Sequence, residues 1–294
     1  MADKQLLKGR ELLNQILRDL HGIPSMPDVI QKVMVMTQDP DCSAGELNKV
    51  MTVDQALTAN VLKLCNSAYY GLPRTIGSVT QAITYLGFRT IRNLVLSSFL
   101  SDVYGGTVTG MGYSLGGLWK HSVAAAVAAQ MICEKLRRLD TNEIAFTAGL
   151  LHDVGKTILA KHAKEHQKSI QSLVKENGMS AVEAERQVLG FDHAALGAKV
   201  ADVWHFPPAL MQAIGLHHDP LKAKGDNFLV HVAHVANHLA VLSGYGIQNA
   251  ELLAAPLYKE SLQELSLTQE DLDTMMEDFG KALHAASPFV SMQE

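Results

Sequence analysis

The sequence predicts an all-α protein. Hydrophobic residues make up 47% of its 294 residues and aromatic residues only 6%, with Ala, Leu, Val and Met supplying most of the apolar side chains. This composition favours helix-on-helix packing. Apolar residues recur at helical spacing along most of the chain, and no segment shows the sustained polar–apolar alternation of a half-buried strand. We therefore expect a multi-helix bundle.

Composition also bears on partners and compartment. The net charge of −5 argues against a broad nucleic-acid-binding surface, and the basic run at 135–138 is interpreted as a solvated helix end. No apolar run approaches the roughly 18 residues that cross a bilayer, and the N-terminus lacks a signal-peptide pattern. Cys42, Cys65 and Cys133 match no zinc or disulfide spacing, as expected of reduced core residues. We expect a cytoplasmic protein that binds neither nucleic acid nor membrane. The sequence does not indicate its oligomeric state.

Residues 1–110 are expected to form an N-terminal helical subdomain. Apolar periodicity and capping residues mark its helices, and a turn-rich stretch could be either a structural turn or a recognition loop of Asn66, Tyr69 and Arg74. The glycine-rich residues 103–117 are interpreted as a linker. The predicted elements are helices over 4–21 and 29–38, two helices capped by Ser43 and Asp54, a turn over 66–74, and helices over 79–86 and 88–99 separated by Gly87.

Residues 111–245 are expected to form a second helical domain, and residues 246–294 a tail of two short helices. Gly, Pro and capping residues again set the boundaries. The predicted helices span 118–133, 161–177, 181–189, 194–204, 207–218 and 228–242. A further helix, capped by Asp140 with Glu143, carries His152, and Gly178 is the predicted end of the helix over 161–177.

Two adjacent polar residues, His152 and Asp153, follow an apolar run. On a helix the side chains of adjacent residues point about 100° apart. Both can therefore point into the protein interior only if they converge on a common group, such as a bound ion, between helices. Imidazole and carboxylate are common ligands of transition metals. Lys156 lies one turn beyond His152 and would hold its cation near an anion bound to a metal. A simple hydrogen-bonded His–Asp pair would also explain the dipeptide.

Further histidines favour the metal interpretation. The chain has 13 histidines, and all but one follow residue 120. His121, His193 and the pair His217–His218 fall on three further apolar helices, so a chance arrangement is a poorer explanation than a metal site.

A rival arrangement lies in the last apolar helix. His234 and His238 are one turn apart, a spacing at which two imidazoles can share zinc, and His231 extends the stripe. No Glu stands in the position found in zinc proteases. We therefore interpret these histidines as the polar edge of an amphipathic helix.

The order of these motifs resembles a known family. His121, Gly149-Leu-Leu-His-Asp-Val-Gly-Lys156, His193 with Gly197, Trp204-x-x-Pro207 and Ile214-x-x-His217-His218 follow one another as in the HD superfamily of metal-dependent phosphohydrolases. The segment from Ile23-Pro-Ser-Met-Pro-Asp28 to Leu86-Gly87 resembles the HDOD subfamily, which is an HD-related output module of bacterial signalling proteins.

The resemblance implies an HD-like helical bundle with one or two divalent transition metals, namely Fe, Mn or Zn. Asp153 and Lys156 would take part in any catalysis. Asp153 would bridge the two metals, which could clamp a phosphodiester and activate water, and Lys156 would stabilise negative charge on the phosphate. The implied ligands of the first metal are His121, His152 and Asp153; those of the second are Asp153, His193, His217 and His218.

The chain departs from the superfamily in two places. The last ligand of the superfamily is an Asp, and the matching residue here is Asn237, whose neutral oxygen would hold the first metal more weakly. In the cyclic-di-GMP hydrolases a Glu and a Gly-Tyr-Pro loop follow the His–His pair, whereas residues 219–226 contain neither. Hydrolysis of cyclic-di-GMP by that route is not expected.

These observations predict a bacterial signal-transduction module of HDOD type. It would act through metal- or ligand-dependent contact with another signalling protein or by binding a small phosphorylated ligand. The alternative is an active metal-dependent phosphohydrolase that acts on a nucleotide or phosphodiester.

Overall fold

The computed structural model describes residues 12–13, 26–105, 114–245 and 257–293. Every regular element in these ranges is helical, which confirms the all-α prediction. The predicted helix over 4–21 lies outside the described residues, except for residues 12 and 13, which are helical. No helix in the described ranges combines the length and apolar character needed to span a bilayer.

Fifteen α-helices are described. In chain order they are α1 (Asp28–Met36), α2 (Ala44–Met51), α3 (Gln55–Cys65), α4 (Val79–Tyr104), α5 (Leu115–Lys135), α6 (Asn142–Leu151), α7 (Val154–His162), α8 (Gln167–Asn177), α9 (Ala181–Leu189), α10 (His193–Val203), α11 (Pro208–Leu216), α12 (Phe228–Leu242), α13 (Lys259–Glu264), α14 (Gln269–Ala285) and α15 (Ser287–Val290).

The described residues fall into two compact units. The larger unit contains residues 114–245 and 257–279, and the smaller unit contains residues 26–105 and 280–293. The division of the chain at residues 110 and 245 remains a prediction. The tail differs from expectation in two respects: its described part contains three helices rather than two, and one of them, α14, has 17 residues.

Local sequence signals set the helices of the smaller unit. The Ser43 side chain accepts a hydrogen bond from the Glu46 N–H, and the Glu46 carboxylate accepts one from the Ser43 N–H, which completes the predicted capping box. Asp54 caps α3 as predicted. Gly87, with φ of +78°, interrupts α4 where two helices were predicted to separate. The second of them runs on to Tyr104 because its last turns are buried, so the linker is shorter than predicted.

The segment after α3 is a structural turn. The Asn66 side chain accepts a hydrogen bond from the Ile76 N–H at 2.6 Å and donates to the Ile76 carbonyl at 2.9 Å. Tyr69 packs edge-on against Phe289, with ring centroids 5.4 Å apart. Arg74 lies over the ring of Tyr85. These contacts within the smaller unit support the structural interpretation rather than a recognition loop.

Two predicted boundaries in the larger unit are wrong. The N-cap of α6 is Thr141 rather than Asp140, because the Thr141 hydroxyl bonds the Arg138 carbonyl and closes the preceding turn. The helix predicted over 161–177 is divided, since α7 ends at His162 and a single 3-10 turn precedes α8. Gly178, with φ of +66°, ends α8 as predicted.

Two glycines allow the helices around the predicted site to pack closely. A Cβ on Gly149 would lie 2.5 Å from the Ala125 carbonyl oxygen, so α6 and α5 touch through their backbones. A Cβ on Gly155 would lie 1.9 Å from the His193 carbonyl oxygen. Glycine at 155 therefore brings the start of α7 directly against the start of α10.

Candidate metal centre

The larger unit brings all the predicted ligands together. Within each of two groups, the ligand atoms lie within 4.8 Å of one another, and both groups share Asp153. All of these side chains are buried. One group is His121, His152 and Asp153; the other is Asp153, His193, His217 and His218.

Most of these ligands come from helix ends rather than from helix interiors. His121 lies within α5, but His152 and Asp153 form the junction between α6 and α7, not one continuous helix as predicted. His193 is the first residue of α10. His217 and His218 directly follow α11. The break at Asp153, with φ of −102° and ψ of 10°, lets the adjacent side chains of His152 and Asp153 point at one centre.

Asp153 lies between the two groups and offers one oxygen to each. Its Oδ2 is 3.4 Å from His152 Nε2 and 3.6 Å from His121 Nε2. Its Oδ1 is 3.2 Å from His193 Nε2 and 3.7 Å from His217 Nε2. The carboxylate is therefore placed to bridge two cations. The simple hydrogen-bonded pair of His152 and Asp153 does not account for the other three histidines.

Hydrogen bonds on the far side of two imidazoles fix their tautomers. His152 Nδ1 lies 2.7 Å from the Gly149 carbonyl oxygen, and His217 Nδ1 lies 2.7 Å from the Ile214 carbonyl oxygen. A carbonyl only accepts, so both Nδ1 atoms carry the proton and both Nε2 atoms present a lone pair. Each lone pair faces the Asp153 carboxylate.

This arrangement provides a test of whether a metal fits. His217 Nε2 and Asp153 Oδ1 are buried, and neither has a hydrogen-bond partner within the described residues. Two buried acceptors that face each other repel unless a cation lies between them. Neutral imidazoles around a carboxylate are a donor set that suits a divalent transition metal. The residues present therefore fit a metal ion.

Electrostatics keep the cluster in the form that binds metal. Burial lowers the pKa of His121 to about 3, and burial together with neighbouring imidazoles lowers the pKa of His217 and His218. Burial alone would raise the pKa of Asp153, but His152 and Lys156 hold it well below its usual value. Ligands must be deprotonated to bind, so these shifts favour metal binding by His121, His217, His218 and Asp153 at neutral pH, whereas a metal at His193 must displace a proton.

Asn237 lies beside His121, in the half of the site to which the sequence comparison with the superfamily assigned it. Its Oδ1 is 3.0 Å from His121 Nε2, which is in turn 3.2 Å from His152 Nε2. The side chain thus faces the first group, with a neutral oxygen where a carboxylate would supply charge.

Comparison with known proteins identifies the family and agrees with the fold. The family model described as the HDOD domain matches residues 23–220, which is more than half of the chain. The chain belongs to the HDOD family. Bacterial HDOD modules are thus its relatives, and the two-part sequence pattern described above is explained by membership of one family.

Solved structures share the fold. An HDOD domain protein with unknown function from Geobacter sulfurreducens is 24% identical, with a TM-score of 0.78 over 98% of this chain and 99% of that chain. A candidate signal transduction protein from Marinobacter aquaeolei VT8 is 20% identical, with a TM-score of 0.78 over 98% of this chain and 66% of that chain.

A curated relative is longer than this HDOD chain. An uncharacterized protein from Treponema pallidum (strain Nichols) is 22% identical over 209 residues, which are 71% of this chain and 40% of that protein. The match thus spans less than half the length of the curated relative.

A cavity of about 210 Å³ opens onto one side of the candidate metal centre of this HDOD chain. It reaches the group that contains His193 and His218, whereas His121 and His152 do not line it. Its charged and aromatic lining includes Lys156, Arg186, Asp219 and Tyr258.

Two residues of the site were not predicted from the sequence. Glu185, which is buried on α9, accepts hydrogen bonds from the His193 N–H at 2.8 Å and from His193 Nδ1 at 2.7 Å. Burial opposes protonation of His193, but the Glu185 carboxylate raises its pKa to about 9. Arg186 pairs with Asp192 and Asp219, which flank the ligands His193 and His218 in the sequence. Charged residues on an amphipathic helix give no sequence signal of such roles.

The rival histidines of α12 do not form a metal site among the described residues. His234 Nδ1 lies 2.7 Å from the His217 carbonyl oxygen, and its Nε2 accepts a hydrogen bond from the Tyr258 N–H at 3.2 Å. His231 bonds Ser261 at 2.9 Å. The interpretation of these residues as a polar edge is also wrong, because His231 and His234 are buried beneath the segment that contains Tyr258 and Ser261.

Proposed function

We propose that this protein is a regulatory module in which a buried divalent transition metal controls contact with another signalling protein. The observation that carries the proposal is the pair of buried acceptors, His217 Nε2 and Asp153 Oδ1, which have no hydrogen-bond partner among the described residues and which a cation between them would satisfy. Fe, Mn and Zn all suit imidazole and carboxylate ligands, and the shared Asp153 allows one or two ions. Neither nucleic acid nor membrane is proposed as a partner.

A metal here would act on the fold of the larger unit. Its ligands come from α5, from the junction of α6 and α7, from α10 and from the segment after α11. A ligand that binds only the native state adds its binding free energy to stability. Metal binding would therefore restrict the motion of four segments of the chain together. The surface that these segments expose could then differ between the metal-free and the metal-bound protein.

Two features favour binding over catalysis. Asn237 puts a neutral oxygen beside His121 where the superfamily has a carboxylate. Lys156 Nζ lies 2.7 Å from Asp153 Oδ2, so one oxygen of the bridging carboxylate is already engaged. Both features weaken the charge available to a second metal, and two metals are what would clamp and activate a phosphodiester.

Hydrogen–deuterium exchange of the metal-free protein, with and without added Zn²⁺ or Mn²⁺, tests this proposal. We expect slower exchange in α5, α6, α10 and α11, and no such effect in the Asp153→Asn variant. Metal binding without a change in exchange beyond the ligands themselves would count against a regulatory role.

A second candidate, a phosphohydrolase, is supported by the cavity beside His193 and His218. A bound metal would supply Lewis acidity and a water of lowered pKa. Lys156 lines the cavity and could stabilise charge on a phosphate, and Asp153 would hold the metal. A cavity of about 210 Å³ would admit only a small phosphate ester or the end of a nucleotide.

Release of p-nitrophenol from p-nitrophenyl phosphate and from bis(p-nitrophenyl) phosphate tests this second candidate. Turnover by metal-loaded protein that is lost in Asp153→Asn would support it. Metal-loaded protein without turnover on either ester would favour the regulatory role.

A further inference from the structure

We infer that the two halves of the centre differ in metal affinity. The first metal equivalent binds among Asp153 Oδ1, His193, His217 and His218, and Glu185 is the positioning residue for His193. In the other half, the Lys156 ammonium occupies Asp153 Oδ2 and competes with a metal. This inference rests on the proposed metal binding and specifies which part of the cluster carries it.

The two oxygens of Asp153 have different surroundings. Oδ2, on the side of His121 and His152, is bound by the Lys156 ammonium at 2.7 Å. Oδ1, on the side of His193 and His217, has no hydrogen-bond partner in the described part of the chain. A metal at Oδ1 gains an available acceptor, whereas a metal at Oδ2 must share its acceptor with a buried cation.

The formal charges point the same way. Around Oδ2 the other polar groups are His121, His152 and Asn237, which are neutral, and Lys156, which is positive. On the Oδ1 side His217 and His218 have lowered pKa values, and the Glu185 carboxylate adds a buried negative charge behind His193 that offsets positive charge on that ring and on Lys156 nearby. A divalent cation is therefore attracted more strongly to the Oδ1 side.

Glu185 also orients His193, and the hydrogen-bond partner that it provides differs from those of the ligands His152 and His217. His152 and His217 each use a backbone carbonyl of their own helix to fix Nδ1, whereas His193 uses a carboxylate from a different helix. A carboxylate behind a ligating imidazole fixes its orientation and raises its basicity. The same Glu185 oxygen also accepts the His193 backbone N–H, so it fixes the position of the whole residue.

The cavity gives this half access from outside. His193 and His218 line it, and neither His121 nor His152 does. A metal that arrives from solvent therefore meets the Oδ1 side first, and the same side is where a small ligand would reach the bound ion.

Titration of metal-stripped protein with Co²⁺ tests the inference, because the visible absorption of bound Co²⁺ reports its ligand set as well as its amount. We expect one tight equivalent in the wild type. His218→Ala should weaken that equivalent by about 100-fold or more, and His121→Ala should leave it within about threefold. Glu185→Gln, which keeps the shape of the side chain, should weaken it by about 10- to 100-fold and shift the Co²⁺ spectrum.

Glu176→Gln on the neighbouring helix α8 is the matched control. Its exposed carboxylate accepts a hydrogen bond from Ser172 and does not line the cavity, so we expect wild-type Co²⁺ affinity and an unchanged spectrum. Circular dichroism of each metal-free variant checks that it folds. If an alanine variant does not fold, the Co²⁺ affinity and spectrum of Glu185→Gln decide whether the inference holds.

The outcomes separate this inference from the proposed function. Wild-type protein that binds no Co²⁺ would overturn both. Wild-type binding that survives His218→Ala and Glu185→Gln but is lost in His121→Ala would overturn the inference alone. Equal losses in His121→Ala and His218→Ala would also overturn it, because they would show a single undivided centre.

Discussion

His217 Nε2 lies 3.7 Å from Asp153 Oδ1, and both are buried acceptors without a hydrogen-bond partner among the described residues. The Nδ1 proton of His217 is committed to the Ile214 carbonyl, so the ring has no proton to offer the carboxylate. A cation between the two atoms removes the conflict. The cluster thus has two unpaired acceptors that a metal ion would satisfy.

Lys156→Met should make the protein more dependent on metal. The lysine and Asp153 form a buried pair, and removal of one partner leaves the carboxylate uncompensated, at a cost of about 3–5 kcal/mol in the metal-free protein. A divalent metal replaces the lost charge. We expect a lower Tm without metal and a larger rise in Tm on addition of Zn²⁺ than in the wild type.

An exposed lysine provides the control for this variant. Lys199→Met on α10 should change stability by no more than about 0.5 kcal/mol and leave the Zn²⁺ response unaltered. An equal rise in Tm with Zn²⁺ in Lys156→Met and in the wild type would show that the metal does not neutralise Asp153.

Asn237→Asp should strengthen binding of a second metal equivalent. The side-chain oxygen is 3.0 Å from His121 Nε2, so a carboxylate there would add a charged ligand to the weaker half. We expect the second equivalent in a metal titration to tighten by at least about 10-fold, since charged oxygens are the preferred partners of divalent cations. A titration curve that matches the wild type would contradict the placement of residue 237 at this half.

Gly155→Ala should damage both stability and metal binding. The added Cβ would lie 1.9 Å from the His193 carbonyl oxygen, so α7 and α10 must separate. Overpacking of this kind typically costs about 1–3 kcal/mol or more, and it would move the His193 ligand. Urea unfolding and metal content measure the two effects.

Gly280→Ala is the matched control for Gly155→Ala. Its Cβ would meet nothing within 4 Å, and the residue lies inside α14. Relief of the poor helix propensity of glycine should raise stability by up to about 1 kcal/mol. If Gly155→Ala and Gly280→Ala had the same stability, the close approach of Gly155 to the His193 carbonyl would not restrict the residue at position 155 to glycine.

The sequence predicted which side chains lie together at the candidate site, but not which residues orient them. His121, His152, Asp153, His193 and the pair at 217–218 could be found because their residue types and order match a family. Gly178 and the capping box of Ser43 and Glu46 were predictable because each acts within a few residues along the chain.

The missed features depend on contacts between distant segments. Glu185 is eight residues from His193 and on another helix, and nothing in its own neighbourhood distinguishes it from other charged residues of α9. His231 and His234 were expected at a solvated edge, because the sequence does not show that the chain returns at 258–261 to cover them.

His234→Gln should destabilise the protein, whereas His238→Gln should not. His234 links the His217 carbonyl to the Tyr258 N–H, and its loss would leave buried groups poorly paired, at about 1–3 kcal/mol. His238 lies on the same helix, and its Nδ1 has no hydrogen-bond partner in the described ranges. We expect the His238 variant to stay within about 0.5 kcal/mol of the wild type in urea unfolding.

The same pair of variants tests the rival zinc arrangement of α12. If His234 and His238 shared a zinc ion, both substitutions would lower zinc content to a similar extent. We expect His238→Gln to retain the wild-type content.

The most direct test of the metal centre is the metal content per chain, measured by mass spectrometry on protein purified without oxygen or chelators. We predict one or two equivalents of Fe, Mn or Zn in the wild type and none in Asp153→Asn, with circular dichroism confirming that the variant is helical. A folded wild-type protein that contains no metal and takes up none when these ions are added would contradict the account.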